Sequence, residues 1–158
     1  VSEYYQPLYR YAYRLSGSQA DAEDLTQEAF LKAQTQFAQL RNQERVKPWL
    51  FAILRNAYLH RLRSEKGKKK VSLDSIGDLA QENQTPEVPE VGSEELQRAL
   101  NDLEEGFRTP LILYFFEDFS YRDISEQMNL PIGTVMSRLN RAKDYLRRAL
   151  RPAEDHHE

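Results

Sequence analysis

"SYRDISEQMNLPIGTVMSRLNRAKDYLRR", Ser120 to Arg148, is the stretch on which the fold turns. It opens as a short helix, with Ser120 and Asp123 spaced as a capping box. Leu130 and Pro131 make a turn. Beyond it, Val135, Leu139, Ala142 and Leu146 fall at i, i+4, i+7 and i+11, the apolar stripe of an amphipathic helix. A second stripe, Thr134, Ser137, Arg138, Arg141, Tyr145 and Arg148, is rich in hydrogen-bond donors. A short helix, a tight turn and a longer helix with a polar face is the helix-turn-helix pattern. The second helix of such a motif lies in the major groove of DNA, with its leading half on base edges. Thr134, Ser137, Arg138, Asn140 and Arg141 occupy that half. These residue types suit the donors and acceptors that groove edges present. Lys143, Arg147 and Arg148 lie further on and suit phosphates, which fix orientation without reading sequence. A solvated basic face is the competing reading of the same residues.

Working outward, strand signals are nearly absent and helical spacing recurs along the chain. "EELQRALNDLEE" (94–105) is an amphipathic helix with acids in its first turn. "RTPLILYFFED" (108–118) is a very apolar one, with Pro110 near its start. Upstream, "YYQPLYRYAYRLSG" (4–17) reads as the end of a helix stopped near Gly17. Ser18 caps the next, "SQADAEDLTQEAFLKAQTQF" (18–37). "AQLRNQERVK" (38–47) is a polar turn. Pro48 suits the first turn of "WLFAILRNAYLHRLR" (49–63), which "SEKGKKK" ends. Residues 71–93 carry two prolines, two glycines and five acids with weak periodicity. They read as a flexible acidic linker. The expected fold is therefore all-α: two small helical domains, 1–70 and 94–151, joined by the linker 71–93 and followed by a polar tail, 152–158.

The net charge of -3 hides a segregation. Residues 41–70 hold ten basic and two acidic side chains, a local +8, and residues 71–107 hold one basic and ten acidic, a local -9. For partner choice such blocks matter more than the mean. Trp49, Asn56, His60 and Arg63 lie in the basic block at i, i+7, i+11 and i+14, one line down a helix. Leu50, Ile53, Leu54, Ala57 and Tyr58 make its adjacent buried face. An aromatic ring with amide and cationic neighbours is how proteins hold unstacked single-stranded bases. A half-buried core tryptophan beside a solvated basic patch is the alternative. Asp21, Asp24 and Glu28 make one acidic face on the preceding helix. Like charges at this spacing cost a few tenths of a kcal/mol per pair. The face reads either as a docking surface for a basic partner or as a solvated surface.

Composition excludes several classes. The 158 residues contain no cysteine, hence no disulfide and no thiolate metal site. No apolar run approaches the roughly 18 residues of a membrane span. No secretory leader pattern opens the chain. The lack of cysteine is compatible with a reducing cytoplasm. No GxxxxGK[ST], HExxH, GxSxG or GxGxxG motif occurs, and two of the three histidines, His156 and His157, lie in the tail. Catalysis and a cofactor are not expected. The chain opens at Val1 in mid-pattern without methionine, which predicts residues preceding it.

Three motifs in one order, "DAEDLTQEAFLKA", "WLFAILRNAYLHRLR" and "LILYFFEDFSYRDISEQMNLPIGTVMSRLNRAK", resemble a bacterial RNA polymerase sigma factor of the small extracytoplasmic-function type. The resemblance covers most of residues 5–70 and 94–150. It implies a protein that binds core RNA polymerase and directs it to promoters. The D-L-x-Q-E-x-F match implies a polymerase-facing helix carrying Asp24, Leu25, Gln27, Glu28 and Phe30, with Asp21 beside them. The W-L-x-x-I-x-x-N match, Trp49, Leu50, Ile53 and Asn56, implies capture of a flipped −10 base by Asn56. Lys47, His60, Arg61 and Arg63 extend that DNA surface. The loop Leu40 to Lys47 lacks the aromatic-Arg-Gly start that many members show. The last motif implies −35 DNA binding by Thr134, Ser137, Arg138, Asn140, Arg141 and Lys143. Met136 stands where members usually carry a cation. An anti-sigma protein is a further implied partner, with a bacterial cytoplasmic location and no membrane insertion. The alternative is an autonomous helix-turn-helix regulator that never joins polymerase.

Overall fold

A computed structural model describes residues 2–40, 43–64 and 93–150. Every regular element among them is helical. The chain divides into two compact units, Val1–Lys69 and Lys70–Glu158. The acidic linker, the "KGKKK" run and the polar tail fall outside the described residues.

The N-terminal unit packs three helices. α1 (Tyr5–Ser16) follows a 3₁₀ turn at Ser2–Tyr4 and buries Leu8, Tyr11, Ala12 and Leu15. It stops at Gly17, whose φ of 73° is left-handed and whose N–H donates to the Tyr13 carbonyl at 2.7 Å. Glycine carries no Cβ penalty there. Ser18 turns the chain and caps α2 (Gln19–Gln36), its Oγ accepting from the Asp21 N–H at 3.1 Å. α2 buries mostly small side chains, Ala22, Ala29 and Ala33, around Leu25. Thr26 is buried among them and donates its hydroxyl proton to the Ala22 carbonyl at 2.7 Å. A hydroxyl buried without such a partner would cost about 1–3 kcal/mol. α3 (Val46–Ser64) inserts Leu50, Phe51, Ile53, Leu54, Ala57 and Tyr58. Phe51 stacks on Tyr11 with centroids 4.7 Å apart. Burying one leucine or phenylalanine contributes about 1.5–3 kcal/mol, so this apolar wedge is a major part of the core that holds the unit together.

The C-terminal unit has α4 (Ser93–Asp102), α5 (Glu105–Phe115), α6 (Tyr121–Met128) and α7 (Ile132–Ala149). Ser120 Oγ accepts from the Asp123 N–H at 3.0 Å and starts α6. Asn129, left-handed at φ 58°, ends it. The Leu130 N–H donates to the Ser125 carbonyl at 3.1 Å, and the Ser125 hydroxyl donates to the Leu130 carbonyl. These bonds fix the turn of the helix-turn-helix. Val135, Leu139, Ala142 and Leu146 are all buried, so the stripe read in the sequence is the face by which α7 joins its unit.

The expected bounds of α5 need correction. The helix starts at Glu105 rather than Arg108, which puts Pro110 in its interior. Proline lacks the N–H that would bond the carbonyl four residues back, here that of Gly106. Arg138 of α7 supplies the missing donor, its Nη1 lying 3.2 Å from the Gly106 carbonyl oxygen.

Candidate nucleic-acid interface

α3 presents its polar row outward. Asn56, His60 and Arg63 are exposed at successive turns, opposite the buried wedge. Trp49, at the head of the row, is half-buried, and Phe37 meets it edge-on at 6.2 Å. Phe37 is 41% exposed, so the two rings form a partly open aromatic corner. The sequence reading did not single Phe37 out. Its signal was an aromatic residue closing the polar run Gln34–Gln36. Lys47 sits with its ammonium 5.6 Å from the Phe51 centroid.

Arg61 behaves differently. Its Nη1 lies 3.3 Å from Asp21 Oδ1 and its Nη2 3.9 Å from Glu28 Oε1. A guanidinium expected on DNA is thus tied to two acids expected on polymerase. Glu28 also meets Lys32 at 3.6 Å. Asp24 and Gln27 are exposed on the same helix. Leu25 is fully buried, and the Phe30 ring stacks on Tyr5 at 6.0 Å. Both therefore serve the fold. Leu31, 64% exposed, joins the outward face of α2. Its signal was a leucine lying off the buried stripe Ala22, Leu25, Ala29, Ala33.

On α7, Ser137 and Asn140 are exposed and Thr134 is half-buried. Arg138 and Arg141 both lie over the Phe107 ring, at 5.6 and 5.5 Å from its centroid. The start of α5 and the leading half of α7 border a concavity of about 500 Å³ that these two arginines line. Arg138 is spent largely on Gly106 and Phe107, so it positions α7 as much as it projects from it. Lys143 must be withdrawn from the DNA-facing set. It is only 4% exposed, and its ammonium lies 5.8 Å from the Phe115 centroid. Burial lowers its pKa from 10.5, the Arg147 charge lowers it further, and Asp144 opposes the shift. Arg147 itself pairs with Asp144 at 2.7 Å. Across α7, burial and the Asp102 carboxylate raise the Tyr145 phenol above its ordinary value. Among the described residues no cluster of His, Cys, Asp or Glu could hold a metal ion, and no helix is long and apolar enough to cross a membrane.

Known proteins match both units. Residues 1–68 fit the Sigma-70 region 2 family model and residues 93–150 the Sigma-70 region 4 model, the pair that defines a polymerase-binding initiation factor. SigW of Bacillus subtilis is 28% identical over 96% of this chain and 87% of its own length. SigM of Bacillus subtilis is 32% identical over 91% of this chain and 88% of its own. The sigma factor RpoE of Bartonella quintana, solved in complex with the anti-sigma factor NepR, superposes with a TM-score of 0.77 at 28% identity, covering 96% of this chain and 94% of that one. The chain belongs to the extracytoplasmic-function sigma factors. It is a non-enzymatic initiation factor that binds core RNA polymerase and promoter DNA, which sets the autonomous regulator aside.

Proposed function

We propose that the two units divide the work of promoter recognition among three helix faces. On α2, Asp24, Gln27 and Glu28, flanked by exposed Leu31, dock on a basic surface of core polymerase; Asp21 supports them, and Phe30 holds their helix to α1. On α3, Trp49, Asn56, His60 and Arg63 capture unstacked bases of the −10 element. The aromatic corner stacks, and the Asn56 amide reads a base edge. Lys47 and Arg63 draw in the strand. On α7, Thr134, Ser137, Asn140 and Arg141 read the −35 duplex, held at their angle by Arg138. The domains span residues 1–70 and 94–151. The likeness to NepR-bound RpoE supports an anti-sigma protein as a further partner. The place of work is the bacterial cytoplasm, where polymerase and promoter meet.

The observation that carries this reading is the exposed row on α3, outward on a helix whose other face is buried. Its test is run-off transcription by Asn56→Ala holoenzyme on a promoter selected from a randomised pool. On duplex template the yield should fall about fivefold or more, the equivalent of one lost base contact. On the same promoter with a pre-opened −10 bubble the loss should shrink, and co-migration with core should persist. Equal losses on both templates together with lost core binding would sink the assignment.

A further inference from the structure

The leading turns of α7 carry a feature that the polar readers leave unexplained. Ile132 and Met136 lie one turn apart and are 44% and 43% exposed, two of the few large apolar side chains outside the cores. Beside them sits Gly133, where an added Cβ would meet nothing within 4 Å. Gly133 is the second residue of α7, in its first turn, where glycine loses less stability than the roughly 0.5–1 kcal/mol it loses in a helix interior. No neighbour in the unit requires that loss. With about 3.6 residues per turn, Met136 lies about 40° and Gly133 about 100° round the helix from Ile132, so the bare Cα borders the exposed apolar pair on one side and leaves room for close approach from outside the unit.

The surface runs on directly into Ser137 and Asn140, both exposed, and into Arg141. Its occupant therefore has to satisfy polar groups and cover apolar ones in one continuous strip. The major groove does this at one base only. All four bases offer donors or acceptors, but thymine alone adds a C5-methyl group. Methionine has no donor for a guanine edge or a phosphate, which a cation at position 136 would have. Its long, polarizable side chain fits irregular apolar surfaces.

We propose that Ile132, Gly133 and Met136 form an apolar platform that reads thymine methyl groups in the −35 element, with Met136 as the specificity-determining residue. The proposal rests on the assignment of α7 to −35 reading. Holoenzyme reconstituted from core polymerase and the full chain would select duplexes from a pool randomised over the −35 and −10 segments. The −35 segment would be synthesised with thymine in one pool and with deoxyuridine, which lacks only the methyl, in the other. The thymine pool should yield thymine at one or two −35 positions. Each should weaken about threefold to tenfold when the methyl is absent, as the loss of one buried methyl implies. Met136→Ala should abolish that difference, and Gly133→Ala should leave the fold at least as thermally stable while weakening promoter binding.

Identical −35 preferences in both pools would overturn the methyl reading and leave the −35 assignment standing, pointing to a protein occupant for the strip. An undiminished methyl effect in Met136→Ala would overturn the role of Met136. No −35 preference in either pool would overturn the assignment of α7 itself.

Discussion

Arg138 shows how one residue can be read correctly for its face and wrongly for its partner. Helical spacing puts it on the polar stripe of α7, and that is where it lies. Spacing carries no information about Gly106, 32 residues upstream, whose carbonyl Pro110 deprives of a helical donor. Arg138→Ala should therefore destabilise the C-terminal unit by about 1–2 kcal/mol, since a charged donor is removed from a partly buried acceptor. In a Pro110→Ala background the new backbone N–H can take that carbonyl, and the effect of Arg138→Ala should shrink. A double-mutant cycle by urea unfolding measures the coupling, and strict additivity would contradict the bond. Lys143 yields a prediction of the opposite kind. Its ammonium binds a proton less tightly folded than unfolded. The unfolded chain thus holds more protons between the lowered value and 10.5, and through this group stability rises with pH across that window. At neutral pH the retained charge costs the fold. Lys143→Met should be as stable as the wild type or more so at pH 7, should lose the alkaline rise relative to wild type, and should keep its promoter affinity. Weakened promoter binding at unchanged stability would restore Lys143 to the DNA surface.

At the scale of elements, much was legible because burial repeats with the helix. The stripe of α7 and the wedge of α3 are periodic, and Ser18 and Ser120 mark helix starts by their chemistry. Ser120→Ala should cost about 0.5–2 kcal/mol of unfolding free energy by removing the cap of α6. It should loosen the helix-turn-helix ahead of the rest of the unit. Amide exchange would show early loss of protection in α6; uniform loss across the unit would mean that the cap is not local. What stayed illegible has physical reasons as well. Proline ordinarily marks a helix start, so the beginning of α5 was read three residues late. Phe30 and Leu31 are adjacent on α2, yet one stacks on Tyr5 and the other faces solvent. Contacts between elements, such as Arg61 with Asp21, join residues 40 apart and leave no trace in any local pattern.

Across the whole molecule, the basic residues placed on DNA by the sequence overstate what is left to meet it. Arg61 is paired with acids, Arg138 holds a carbonyl, Lys143 is buried and Arg147 is bonded to Asp144. With a net charge of -3 the free protein has little phosphate attraction to spare. Such attraction falls steeply with salt. At about 0.15 M salt the isolated chain should fail to retain a selected promoter duplex in a filter or mobility assay, while the holoenzyme retains it. Tight binding by the isolated chain would contradict this division of labour. Because Pro110 takes a donor away from Gly106 and Arg138 gives one back, the joint between α5 and α7 is closed by a long side chain where a backbone rung would ordinarily stand. An added Cβ on Gly106 would come within 2.8 Å of Arg138 Nη1, so the bare backbone at 106 is what leaves that side chain room to seat.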